Sequence, residues 1–110
     1  MGPGRRQDLP GTFEVVGGAR FADGSVVSWP LVKAIASETG ITVAVRRKRS
    51  WASLSFSCTW KELRSADARW RSIVLHGPSG VDVTFGNMFA PERVRLIVEE
   101  VRRRGIPVHE

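Results

Sequence analysis

The stretch SIVLHGPSGVDVTF, residues 72–85, followed by PERVRLIVEEVRRR, residues 91–104, decides the fold class. In its first part Ile73 and Leu75 fall on one face, and Val81, Val83 and Phe85 alternate with Asp82 and Thr84. A period of two is the mark of a strand with one buried face. Gly77-Pro78-Ser79-Gly80 between the two runs is a four-residue hairpin connection. The second part has a helical period instead. Val94, Ile97, Val98 and Val101 fall on one stripe. Pro91 suits the first turn, Glu92 complements the positive helix N-terminus, and Arg102, Arg103 and Arg104 complement the other end. Gly105 and Pro107 stop the helix. Glu99 with Arg103 and Glu100 with Arg104 have the spacing of favourable side-chain pairs.

Working toward the N-terminus, more strands appear. From residue 53 to 60, Leu54, Phe56, Cys58 and Trp60 share one face, and Ser53, Ser55, Ser57 and Thr59 share the other. Ile41, Val43 and Val45 alternate in the same way. Residues 26–36 read as extended, with Val27, Trp29, Leu31 and Ile35 on one face and helix as a competing reading for residues 31–38. Pro30 cannot donate to a ladder, so that strand is bent, bulged or at an edge. Residues 12–16 form a first strand that Gly17-Gly18 ends. Residues 60–68 fit either a continued strand or a helical turn. The fold class is therefore mainly β: a strongly bent antiparallel sheet or partly open barrel of about seven strands, capped by helix 91–104.

At 110 residues the chain holds one domain. Residues 1–11, with Gly or Pro at positions 2, 3, 4, 10 and 11, read as a flexible leader, and residues 12–108 as the domain. The leader lacks the apolar core of a secretory signal, and no apolar run reaches membrane-spanning length. One cysteine, Cys58, leaves no internal disulfide and fits a reducing cytoplasm.

The net charge of +6 is concentrated. Residues 43–71 carry eight basic and two acidic side chains, while the rest of the chain carries nine of each. Such a local excess makes an attractive field for an anionic partner if the side chains share a face. Arg46, Arg47, Lys48 and Arg49, with Trp51 nearby, form the sharpest feature, a basic hairpin loop that could contact phosphates. Tryptophan beside it suits a membrane interface or a stacked base. The competing reading is a solvated turn that blocks edge-to-edge association. Arg69, Trp70 and Arg71 are secondary contact candidates. Trp29 and Trp60 read as core or rim packing, Trp51 and Trp70 as partly exposed.

Catalytic signatures are missing from the sequence. Cys58 lies on the apolar face of its strand and reads as a small buried hydrophobe. His76 and His109 are isolated, and no Cys/His spacing suits zinc. Asp67, Asp82, Glu92 and Glu99 are scattered. Neither Gly77-Pro78-Ser79-Gly80 nor Gly17-Gly18 has the ending of a phosphate loop. No cofactor, metal or catalytic residue is expected.

The order of elements, the segment Val27-Ser28-Trp29-Pro30-Leu31-Val32 and the segment Cys58-Thr59-Trp60-Lys61-Glu62-Leu63 resemble bacterial pleckstrin-homology-like (PH-like) domains. In these a tryptophan followed by a charged residue and Leu or Ile often opens a mid-domain strand. The resemblance covers about residues 12 to 108 and rests on element order and a loose Trp-x-x-Leu pattern. It implies a seven-stranded, strongly bent sheet closed at one end by the C-terminal helix, and a binding or scaffolding role. Eukaryotic relatives often hold phosphoinositides in the first hairpin loop. Here the first apparent hairpin loop, Glu38-Thr39-Gly40, is acidic and the basic loop comes a hairpin later, so that site does not carry over. The partners expected are an anionic membrane surface or an acidic protein. Self-assembly through an open sheet edge, with the Pro30 segment as that edge, and nucleic-acid binding are the alternatives.

Overall fold

A computed structural model describes residues 12–45 and 54–110. The proposed leader and residues 46–53 lie outside the described residues. Strands β1 (Phe13–Arg20), β2 (Val26–Ala36), β3 (Gly40–Val45), β4 (Ser55–Thr59), β5 (Ser65–Ala68), β6 (Ser72–His76) and β7 (Asp82–Gly86) precede helix α1 (Pro91–Arg103) and a two-residue strand β8 (Val108–His109). They form one sheet in the order β4-β3-β2-β1-β7-β6-β5-β8. Every pairing is antiparallel except that of β8 with β5. The sheet is open, with β4 and β8 at its edges, and is therefore the expected bent sheet with one strand more than the pattern suggests.

The bend is made by β1. Its first part pairs with β2, and its last residues, Gly18, Ala19 and Arg20, also pair with Gly86, Phe85 and Thr84 of β7. β1 thus belongs to both halves of the sheet. Gly17-Gly18 does not end the strand, as the sequence suggested, but lies inside it. The reason is space rather than turning. A Cβ on Gly17 would lie 2.2 Å from the Gly86 carbonyl oxygen, and one on Gly18 would lie 2.8 Å from that of Val27. The chain turns later, over residues 21–25, where the Asp23 carboxylate accepts the Ser25 N–H at 2.8 Å. That is the first hairpin loop, and Glu38-Thr39-Gly40 belongs to the second.

β2 is a central strand, so the Pro30 segment is not the sheet edge. Pairing runs from Ala19–Val27 to Gly17–Val32. Between these pairs β1 advances two residues and β2 five, an odd surplus that exchanges the faces of β2. Val27 points inward before the bulge, while Val32, Ala34 and Ala36 point inward after it. The face expected from sequence is wrong for this reason, and Trp29 is left 45% exposed. The helical alternative for residues 31–38 does not occur.

Phe56 and Cys58 of β4 and Ile41, Val43 and Val45 of β3 are buried as their alternation predicts. Residues 60–64 turn back on themselves. Glu62 accepts the Thr59 N–H and returns its own N–H to the Thr59 hydroxyl, at 2.9 and 3.2 Å. The Trp60-Lys61-Glu62-Leu63 segment therefore closes β4 rather than opening a strand, and buries Leu63 in the core. α1 lays Val94, Ile97, Val98 and Val101, each at most 1% exposed, against β6, β7 and β8. Gly105 takes a φ of 81° at the end of the helix, as expected.

The far end of α1 is held by a polar cluster. Glu100, 7% exposed, receives hydrogen bonds from Arg103 and Arg104 at 2.7 and 2.8 Å. Arg104 continues to the Ser37 carbonyl at 3.2 Å and lies 5.1 Å from the Trp60 ring centre, while the Trp60 indole N–H donates to the same carbonyl at 2.8 Å. Burial by itself would raise the Glu100 pKa. The two guanidinium partners outweigh it and hold the carboxyl below its ordinary value. The predicted Glu100–Arg104 pair is present, but Glu99 pairs with Arg95 and Arg102 instead of Arg103.

Candidate functional site

Arg46, Arg47, Lys48, Arg49 and Trp51 lie outside the described residues. Their anchor points are described. Val45 donates its N–H to the Leu54 carbonyl at 3.4 Å, and Leu54 borders a hollow shared with Ala22, Val81 and Asp82. The chain thus returns from the basic loop at the Asp82 end of β7.

Arg69, Trp70 and Arg71 form the turn between β5 and β6, closed by the Arg69 N–H on the Ser72 carbonyl at 2.8 Å. Ser72 pairs with Gly86, so this turn stands at the opposite end of β7 from Leu54. The basic stretch is anchored in two places rather than one. Arg64 precedes β5 at the Asp82 end of the sheet, where its N–H meets the His76 carbonyl at 2.8 Å. At the turn Trp70 is 72% exposed, and the Arg71 guanidinium carbon lies 4.0 Å from its ring centre. No ion pair joins Arg69 or Arg71 to a carboxylate among the described residues.

Beside the turn lies an open hollow of about 380 Å³ on the outer face of the sheet. Gly18 and Gly86, which pair directly, are among its lining residues, with Arg20, Trp29, Arg71 and Met88 around them. Trp29 packs on Phe89 with ring centres 4.8 Å apart. Phe89 is 67% exposed, Met88 61% and Val26 62%. So many large apolar side chains left exposed together mark an interaction surface more often than chance.

Asn87 holds that surface in place. It is 6% exposed, and both polar atoms of its side chain and its backbone N–H are used. Its amide donates to the Val16 carbonyl at 2.8 Å, its side-chain oxygen accepts the N–H groups of Phe89 and Ala90, and its own N–H reaches the Arg71 carbonyl at 3.0 Å. One side chain therefore ties β1, the β5–β6 turn and the entry to α1 together. In the sequence Asn87 reads only as the end of a strand. The signal that could have found the site is Met88-Phe89, two large apolar residues in a short link before the helix-starting Pro91.

Three groups that the sequence leaves apart, His76, Asp67 and Asp82, meet on the outer face of β5, β6 and β7. His76 lies 3.0 Å from Asp67 and 3.3 Å from Asp82, one carboxylate at each ring nitrogen. Only the imidazolium can donate to both. The Asp67 hydrogen bond raises the His76 pKa first, against a lowering by burial, and Asp82 adds to the rise. In return His76 lowers the Asp67 pKa. Among the described residues no group of His, Cys, Asp or Glu has the arrangement of a metal site. Burial, with Glu62 nearby, pushes the Cys58 thiol up to about 11, which suppresses the reactive thiolate.

No helix among the described residues is long and apolar enough to cross a membrane. No protein-family model, curated protein or solved structure matches the chain.

Proposed function

We propose that this chain is a non-catalytic binding module of PH-like type that docks on an anionic membrane surface. The observation that carries the reading is the turn Arg69-Trp70-Arg71. A tryptophan stands out at a hairpin tip between two arginines, neither of which forms an ion pair among the described residues. Indole favours the headgroup layer of a bilayer, and guanidinium groups pair with lipid phosphates. The open bent sheet with helix α1 near its C-terminal end supports the PH-like reading. Arg46, Arg47, Lys48, Arg49 and Trp51 supply a second basic contact, anchored at the other end of β7.

Co-sedimentation with vesicles of pure phosphatidylcholine, and with vesicles containing a third phosphatidylserine, tests this at low salt and at about 0.15 M, where charges are screened beyond about 8 Å. Binding is expected to the anionic vesicles alone. Trp70→Ala, and Arg69→Gln with Arg71→Gln, should each weaken it. Neutralising residues 46–49 together should weaken it independently. Equal binding to both vesicle types, or none at low salt, would overturn the reading.

Strand addition is a second reading, favoured by one observation: the outer edge of β4 has no strand beside it among the described residues. A mass in solution that rises with concentration, and stops doing so with Ser57→Pro at that edge, would support it.

A further inference from the structure

The exposed turn and the hollow beside it differ in shape, and the hollow suits another occupant. We propose that the hollow lined by Gly18, Gly86, Trp29, Met88, Arg20 and Arg71 is a docking groove for a short acidic segment of another protein, one that presents a large apolar side chain beside a carboxylate.

Shape argues for a segment rather than a bilayer. A bilayer surface reaches protruding groups such as Trp70, whereas this is a recess on a sheet face where two opposed glycines carry no side chains. The glycines are set by the fold. A Cβ on Gly18 would meet the Trp29 nitrogen at 2.9 Å, and one on Gly86 the Arg71 carbonyl oxygen at 2.8 Å. Trp29, Met88 and Val26 stand exposed around the recess, and tryptophan and methionine are among the residue kinds enriched at protein interfaces.

Charge selects the occupant. Two arginines line the hollow and no carboxylate does. An acidic group beside the buried apolar one would be drawn to them, and a basic segment repelled. The groove is also ready before the partner arrives. Asn87, through its bonds to Val16, Phe89, Ala90 and Arg71, fixes the backbone on either side of Met88. Ordering that wall costs little on binding, as for any preorganised site.

Arg71 is shared with the proposed membrane contact, and the test keeps the two readings apart. The probes are capped heptapeptides of Gly and Ser with Leu, Phe or Trp between two Asp, and the same peptides with Asn in place of Asp. Amide and methyl NMR spectra of the full chain are followed to about 5 mM peptide, a range that captures even weak sites. At least one Asp peptide should move the Gly18 and Gly86 amides, the Trp29 indole and the Met88 methyl together. Met88→Ser and Arg20→Gln, both at exposed positions, should each raise Kd about tenfold, the scale of a single interface anchor. Trp70→Ala should weaken vesicle binding while the Asp peptides still bind. The proposal is overturned if no Asp peptide binds, if the Asn peptides bind equally well, or if the shifts gather on Trp70 instead. It is also overturned if Met88→Ser loses vesicle binding and leaves peptide binding intact.

Discussion

The molecule uses the pairing of tryptophan with arginine twice, to opposite effect. Trp60 and Arg104 are half-buried, and both bond to the Ser37 carbonyl, with Glu100 neutralising the arginine. Trp70 and Arg71 are closer, at 4.0 Å, yet both are exposed and no carboxylate pairs with the arginine among the described residues. The first pair locks the end of the helix to the turn between β2 and β3. The second is left exposed, with the Arg71 charge stacked on one face of the Trp70 ring and free of any ion pair among the described residues. What separates a structural contact from a candidate docking contact is not the residue pair but whether its polar atoms are already used.

The largest effect should come from breaking the locked pair. Glu100→Ala leaves Arg103 and Arg104 without their carboxylate, and should cost about 1–2 kcal/mol of stability in urea unfolding. Trp70→Ala in the same assay should change stability by less than about 0.5 kcal/mol, as at ordinary surface positions. Equal losses for the two variants would abolish the distinction.

Asn87→Ala comes next, at about 1 kcal/mol, because a buried side chain that bridges three segments loses its hydrogen bonds. Its sharper consequence is local. The amides of Phe89 and Ala90 should exchange with solvent much faster, while those of β3 and β4 stay protected.

His76 tests an intermediate case, half-exposed but doubly paired. Its folded pKa is raised, so its contribution is fully present below the unfolded value near 6.5 and fades as pH rises through the folded value. Asp67 is lowered, so its contribution is present above about 3.8 and fades as pH falls through its folded value. Together they add stability between those limits. The melting temperature of the wild type should fall relative to His76→Asn between about pH 6 and 8. Parallel curves would show that the pairing carries no net stability.

Much of the frame was legible from local pattern. β3, β4, β6 and α1 bury the side chains their periods select, because each is regular and has one apolar face. Legibility failed where the ladder is irregular. The odd surplus in β2 reversed the faces after Val27, and so turned Trp29 from a core candidate into a surface residue. It failed again where residues meet across long sequence separations. Asn87 reaches back to Val16, and Arg104 to Ser37, and no local pattern encodes either contact. His76 looked isolated because its two carboxylates come from neighbouring strands. The candidate surface was half legible. The Arg69-Trp70-Arg71 turn stood out by composition, whereas the hollow beside it required the fold.

The opposed pair Gly18 and Gly86 has a consequence for how such a surface could diversify. Neither position accepts a side chain without displacing backbone, so selection cannot reshape the floor a residue at a time. Arg20, Val26 and Met88 are exposed and free of that constraint. Relatives of this chain that have changed partners should therefore vary at those three rim positions while both glycines stay fixed, a pattern that a set of homologous sequences would display directly.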